Sequence, residues 1–342
     1  MGDAELLYSL ETETCKSILE GQQRMEKLET REGRPCDVPS GGGMLWALVA
    51  VVSGALAVGA LLAPVVHTGL VALGRAVAEL SFLRNISFEQ VASRCVLVSI
   101  AVGFLPTMCR VGARNRADLR LVRESGWLRR IGLWAFLGVG SIVLILAGGW
   151  FLGAYVPPHG FGGRDLFSVA MFVGGALFVA SIEEIFFRGA LYGGIRKVFG
   201  PCAGMLGSSL LFSIVHFAKP VPQIGIAHAH WYSGLRLIPD TFRIVHASYH
   251  YFPYMLTLLL MGIVLCMVVE RTGSLYAAIG LHAGWIWAMR ASTSFLLPQD
   301  GRLDVFFGRG GELATGYVAT LTMAGILFGM LVIWRPSMRS PR

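Results

Sequence analysis

The sequence predicts an all-α fold, a polytopic transmembrane helical bundle of about eight spans. Three observations predict it. Hydrophobic residues make up 54% of the 342-residue chain and charged residues only 15%, against about 25% charged in a soluble domain. The mean hydropathy is +0.62. Apolar runs of roughly 20 residues, the length that crosses a bilayer, recur from residue 44 to the C-terminal end. The 43 glycines suit helices that pack closely in lipid.

The elements follow in order. Residues 1–42 form a cytosolic segment in which Leu6, Leu7, Leu10, Ile18 and Leu19 are spaced among Glu and Lys as in an amphipathic helix, before a breaker at Pro35 and a Gly41-Gly42-Gly43 linker. Its acidic start lacks an early apolar stretch, so it reads as a tail and not as a signal peptide. Leu6 also takes the place of the Ser or Thr that a myristoylation motif needs. N-terminal transmembrane helices occupy 43–165, with runs near 44–66, 91–109 and 131–153. A core at 166–291 holds runs near 166–187, 200–217, 251–269 and 274–291, with an extended loop at 218–250. A loop and a last span near 316–334 complete 292–342. There is no internal repeat.

Charge orients the bundle. Seven arginines lie between Arg110 and Arg130, and loops so rich in arginine stay cytoplasmic. An even number of spans then leaves both termini on that side, in agreement with Arg335, Arg339 and Arg342. The net charge of +8 is thereby assigned to loops at an anionic lipid surface, and no nucleic-acid motif is present. Cys15, Cys36, Cys95, Cys109, Cys202 and Cys266 are scattered without a C-x-x-C pair, which argues against a disulfide framework or a cysteine zinc site.

The informative residues are polar ones in apolar helices. Glu183-Glu184-Ile185-Phe186-Phe187-Arg188 ends the fourth run. A carboxylate in a membrane helix is expensive unless partnered. Glu184 and Arg188 are spaced i, i+4 and can pair on one face. Glu183 is turned about 100° away and has no local cation, so it is the carboxylate left for chemistry. His216 ends Phe212-Ser213-Ile214-Val215-His216, and His282 sits in Gly280-Leu281-His282-Ala283-Gly284-Trp285. A lone helical histidine is more often a hydrogen-bonded core residue than a catalyst. Three polar groups on three spans are least costly where they meet in one wet cavity. A carboxylate and two imidazoles there can deprotonate water and protonate a leaving amine, which is peptide hydrolysis.

E-E-x-x-x-R, then F-x-x-x-H, then a later helical His resembles the motif set of the CPBP family of intramembrane proteases (CAAX prenyl protease 2 and bacteriocin-processing, or ABI, proteins). The resemblance spans roughly 166–291. It implies an endopeptidase that cuts near the C-terminal or membrane-anchored part of a protein or peptide substrate. Glu183 is the implied catalytic carboxylate, His216 the residue that helps activate water, and His282 the stabiliser of the oxyanion. Glu184, Arg188 and Phe212 fill the remaining motif positions around them. The family has been described both as glutamate proteases and as metalloproteases, so Glu183, His216 and His282 could also hold a zinc ion. One departure stands out. Where the family's last motif has Asn or Asp, this chain has Ile286, and the loss of an oxyanion donor can cost about 100-fold in rate. His282 alone, a backbone N–H or Trp285 could stand in.

Two other functions compete with proteolysis. A proton-coupled transporter would use similar Glu and His groups, but the expected repeats and broken helices are not read in the sequence. A non-catalytic immunity or scaffold protein of the same fold is favoured by Ile286 and opposed by the retention of Glu183, His216 and His282. In the 218–250 loop, His246 and His250 at i, i+4, with His228 and His230 nearby, could bind a metal, although interfacial histidines are the commoner explanation.

Overall fold

The computed structural model describes residues 41–108, 116–158, 160, 163–217, 230–243, 252–299, 301, 303–308 and 312–333. The chain divides into two compact units, Met1–Asp37 and Val38–Arg342, and the described residues all belong to the second. The amphipathic pattern of the N-terminal segment, Cys15, Cys36, Cys109, His228, His246, His250 and the terminal arginines lie outside them.

The described elements are helices α1 (Gly41–Ala76), α2 (Phe88–Met108), α3 (Trp127–Phe151), α4 (Gly163–Glu184), α5 (Gly193–Phe217), α6 (Ser233–Arg243), α7 (Phe252–Thr272), α8 (Leu275–Phe295), the single turn α9 (Asp304–Phe307) and α10 (Tyr317–Ile333). A π-helical segment, Ile185–Tyr192, joins α4 to α5. Each of the apolar runs read from the sequence falls on a helix. Among the described residues, four stretches are long and apolar enough to cross a membrane: Ala50–Ala76, Trp127–Phe151, Val169–His216 and Phe252–Thr272.

The third of these has 48 residues, about 70 Å of helix and more than twice the apolar thickness of a bilayer. It reverses on itself. Gly200 adopts φ 86°, ψ 170° inside α5, a left-handed φ that glycine takes at no steric cost, and Pro201 follows. The chain beyond Gly200 packs back along the π segment. Gly204 lies against the Tyr192 ring, and Ser208 Oγ donates to the Phe187 carbonyl at 2.8 Å.

α7 is the central helix. Its apolar window is 61% buried, against 22% for each of the other three candidate spans. Val264, Leu265, Val268 and Val269 are fully buried in a core shared with Phe212, Leu275, Ala277 and Ala278. The lipid-facing surface is correspondingly apolar, with Phe136, Leu144, Phe167, Phe178 and Leu321 exposed.

α8 lies flush on α3 through small residues. A Cβ at Gly280 would overlap the carbonyl oxygen of Ile131, and one at Gly284 that of Ala135. Backbones approach this closely in lipid where glycines recur every four residues. Trp285 Nε1 donates to Ser141 Oγ at 2.9 Å across the same interface. The glycine face fixes the rotation of α8 and so the direction of His282, which lies between the two glycines. Gly284→Leu is therefore expected to destabilise the bundle by about 3 kcal/mol through overpacking, read as a lower midpoint in detergent-titrated unfolding. An unchanged midpoint would mean the helices can separate here without penalty.

Three features differ from the sequence reading. The 218–250 stretch is not an extended loop throughout, since it carries α6, whose Leu237 is buried among Ala63, Phe88 and Ala92 of α1 and α2. Gly234 of α6 packs directly on the Ala60 backbone. The helices are not unbroken either, because the π segment and Gly200 both interrupt the helical repeat. A two-stranded antiparallel ribbon pairs Tyr155 with Pro298 and Val156 with Leu297.

Candidate active site

The first half of the site comes from the end of α4 and the π segment. A π turn adds a residue to the helical repeat, and such turns are frequent at functional sites. Glu183 and Glu184 sit at its entrance and point to different neighbours. Glu184 is fully buried, and its Oε1 accepts from Arg188 Nη1 at 2.9 Å. The same oxygen faces His282 Nδ1 at 2.7 Å. A carboxylate at this distance is an acceptor, so Nδ1–H donates and Nε2 is left facing Glu183.

The other histidine is fixed in the same sense. His216 Nδ1 lies 2.8 Å from the Phe212 carbonyl. That oxygen accepts only, so the proton is on Nδ1 and Nε2 again faces Glu183. Both Nε2 atoms face one carboxylate oxygen. Glu183 Oε2 is 3.7 Å from His216 Nε2 and 3.8 Å from His282 Nε2. Both separations exceed a hydrogen bond, and Glu183 Oε2 is buried with no hydrogen-bond partner. A buried acceptor in that state calls for a water or a substrate group between the three atoms.

Exposure grades across the site. The side chains of Arg188 and Glu184 are 0% exposed and that of His282 2%, whereas Glu183 reaches 14% and His216 23%. The site is thus closed behind Glu184 and reachable at Glu183 and His216. Phe212 packs all of these together. Its fully buried ring lies 4.3 Å from the Arg188 guanidinium carbon and meets His282 edge-on at 6.0 Å. Its own main chain holds His216.

The structure therefore brings together the six residues that the sequence reading placed at the catalytic site: Glu183, His216, His282, Glu184, Arg188 and Phe212. It corrects one substitute for the amide that Ile286 lacks, because Trp285 donates to Ser141 on α3 and is not free to serve the cavity. The sequence reading missed Ser208, which takes up the Phe187 carbonyl within the π segment. It also missed a second polar group around Glu270. Among the described residues no set of three His, Cys, Asp or Glu side chains is arranged to hold a metal ion.

Residues 165–288, about a third of the chain, match the family model described as Type II CAAX prenyl endopeptidase Rce1-like. The match covers the π segment and Glu183, His216 and His282, so the resemblance read from the motifs holds over the segment that carries these residues. No curated protein and no solved structure matches the chain.

Proposed function

We propose that this membrane protein, whose residues 165–288 match the Rce1-like CAAX prenyl endopeptidase family model, hydrolyses a peptide bond near the membrane-anchored C-terminal part of a protein or peptide substrate as an intramembrane protease of the CPBP type. The observation that carries the proposal is the convergence of two imidazole Nε2 atoms on one buried carboxylate oxygen that makes no hydrogen bond, Glu183 Oε2.

In this reading a water sits between Glu183 and His216. Glu183 takes its proton while the water oxygen bonds to the scissile carbonyl carbon. The carbonyl oxygen becomes an oxyanion beside His282. His282 enters the step protonated on both ring nitrogens, with Nδ1–H held by Glu184; it donates from Nε2–H to the oxyanion and keeps that proton throughout. The C–N bond then breaks, and Glu183 passes its proton to the leaving amine. These steps use only water and the chain's own residues. We also propose that both termini face the cytoplasm, on the strength of the arginines between α2 and α3.

The test is cleavage of a reporter with a membrane-anchored C-terminal peptide by purified protein in proteoliposomes, with products identified by mass. Release of a C-terminal fragment is expected, and at an unchanged rate after treatment with 1,10-phenanthroline. Loss of activity with recovery on adding zinc would transfer the chemistry to a metal held by Glu183, His216 and His282. Ile286 favours a second reading, a non-catalytic immunity or scaffold protein of the same fold. That reading requires no cleavage at all and tolerance of changes at Glu183.

A further inference from the structure

We infer that Glu270 is a positioning residue for the site, acting through the π segment and the start of α8. This rests on the proposed protease reading for its consequence but not for its structural test.

Glu270 stands in the last turn of α7, and groups from three other parts of the chain converge on it. Arg196 gives Nε and Nη2 to Oε1 at 3.2 and 2.9 Å. Tyr192, the last residue of the π segment, donates to Oε2 at 2.7 Å. Arg120, from the segment between α2 and α3, gives Nη2 to Oε2 at 3.1 Å. A carboxylate with both oxygens used by two guanidiniums and a phenol is held far more firmly than a boundary charge in a membrane protein needs to be.

Arg120 is itself unusual. Among the described residues it is the non-glycine residue with a positive φ, 53°, a conformation that disfavours a side chain and persists where the surroundings impose it. Its Nη1 donates to the Val269 carbonyl at 2.9 Å, and its own carbonyl accepts from Leu275 N–H, the first residue of α8, at 3.0 Å. Beside it Leu119 fills the space over Gly189 of the π segment and reaches Leu275. Leu121 accepts from the Tyr276 hydroxyl at 3.2 Å.

One cluster therefore fastens two elements at once. The first is the far end of the π segment, whose near end carries Glu183, Glu184 and Arg188. The second is the N-terminal turn of α8, two turns before His282. The 3.8 Å gap between Glu183 and His282 depends on the separation of these two elements, which the Glu184–His282 contact ties at the site and the Glu270 cluster holds at their far ends. Reaction geometry tolerates little error, since a displacement of about 1 Å can cost 100-fold.

The test uses Glu270→Gln, which removes the charge, Tyr192→Phe, which removes one hydrogen bond and keeps both guanidinium contacts, and Glu270→Asp as the conservative control. In proteoliposomes, amide deuterium exchange across residues 183–192 is expected to quicken about tenfold in Glu270→Gln. A smaller increase is expected in Tyr192→Phe, with Glu270→Asp near the parent. Reporter cleavage is expected to lose about tenfold or more in kcat with KM unchanged. Should Glu270→Gln not fold, Tyr192→Phe decides. Unaltered exchange in this segment overturns the positioning role, and so does faster exchange with an unaltered kcat. If the parent protein cleaves no reporter, the protease reading fails, and the exchange data alone decide whether Glu270 holds the segment.

Discussion

Glu183→Gln is expected to lower kcat/KM by about a thousandfold, the scale of a lost general base, while leaving the protein folded and abundant. Glutamine keeps the size and the carbonyl oxygen of the side chain but cannot take a proton from water. The fold should tolerate it because Glu183 holds no ion pair with Arg188. Its Oε2 has no hydrogen-bond partner, and the two histidines stand 3.7 and 3.8 Å away. The measurement is reporter cleavage by the parent and the variant at matched amounts of monodisperse protein. Retained cleavage would move the base elsewhere and sink the proposed mechanism. Failure to fold would instead make Glu183 a structural carboxylate.

Arg188→Met should act on stability, lowering it by about 3–5 kcal/mol, the penalty for leaving one member of a buried ion pair uncompensated. Glu184 and Arg188 are both fully buried at 2.9 Å, so neither solvent nor salt can screen the charge left behind. Methionine fills the aliphatic volume and can still touch the Phe212 ring, which isolates the electrostatic loss. Detergent-titrated unfolding followed by circular dichroism measures it. The double variant Glu184→Gln/Arg188→Met removes both charges and should regain most of the lost stability. It should not regain activity, because His282 Nδ1 would then face an amide. A single variant as stable as the parent would show that His282 alone neutralises Glu184.

The membrane bundle was legible because hydrophobic runs of spanning length leave few alternatives in sequence. Glu183, His216 and His282 were legible for the opposite reason, as polar groups that apolar helices do not carry without cause. The i, i+4 spacing separated Glu184 from Glu183 correctly, since the ion pair with Arg188 forms as that spacing predicts. The π segment was not legible, because one extra residue per turn leaves no mark on hydrophobicity over so short a stretch. Gly200-Pro201 did carry a breaker signal, but it fell between two runs already separated and its reversal of the chain went unread. α6 was hidden by the attention its loop drew through histidines, although Leu235, Leu237 and Ile238 mark an apolar face. Glu270 looked like an ordinary charge at the end of a span. Its partners are distant in sequence, and no local pattern announces them.

The reversal at Gly200 has a consequence for how the protein is made. Glu183 and His216 lie on the two arms of one continuous helical hairpin, and contacts so local in sequence form early and with little entropic loss. A nascent chain that has delivered α5 into the bilayer already has these two side chains within reach of each other. His282 arrives only after α6 and the α7–α8 pair have been synthesised. A chain emerging from the N-terminus first thus brings Glu183 and His216 together before His282 can join them.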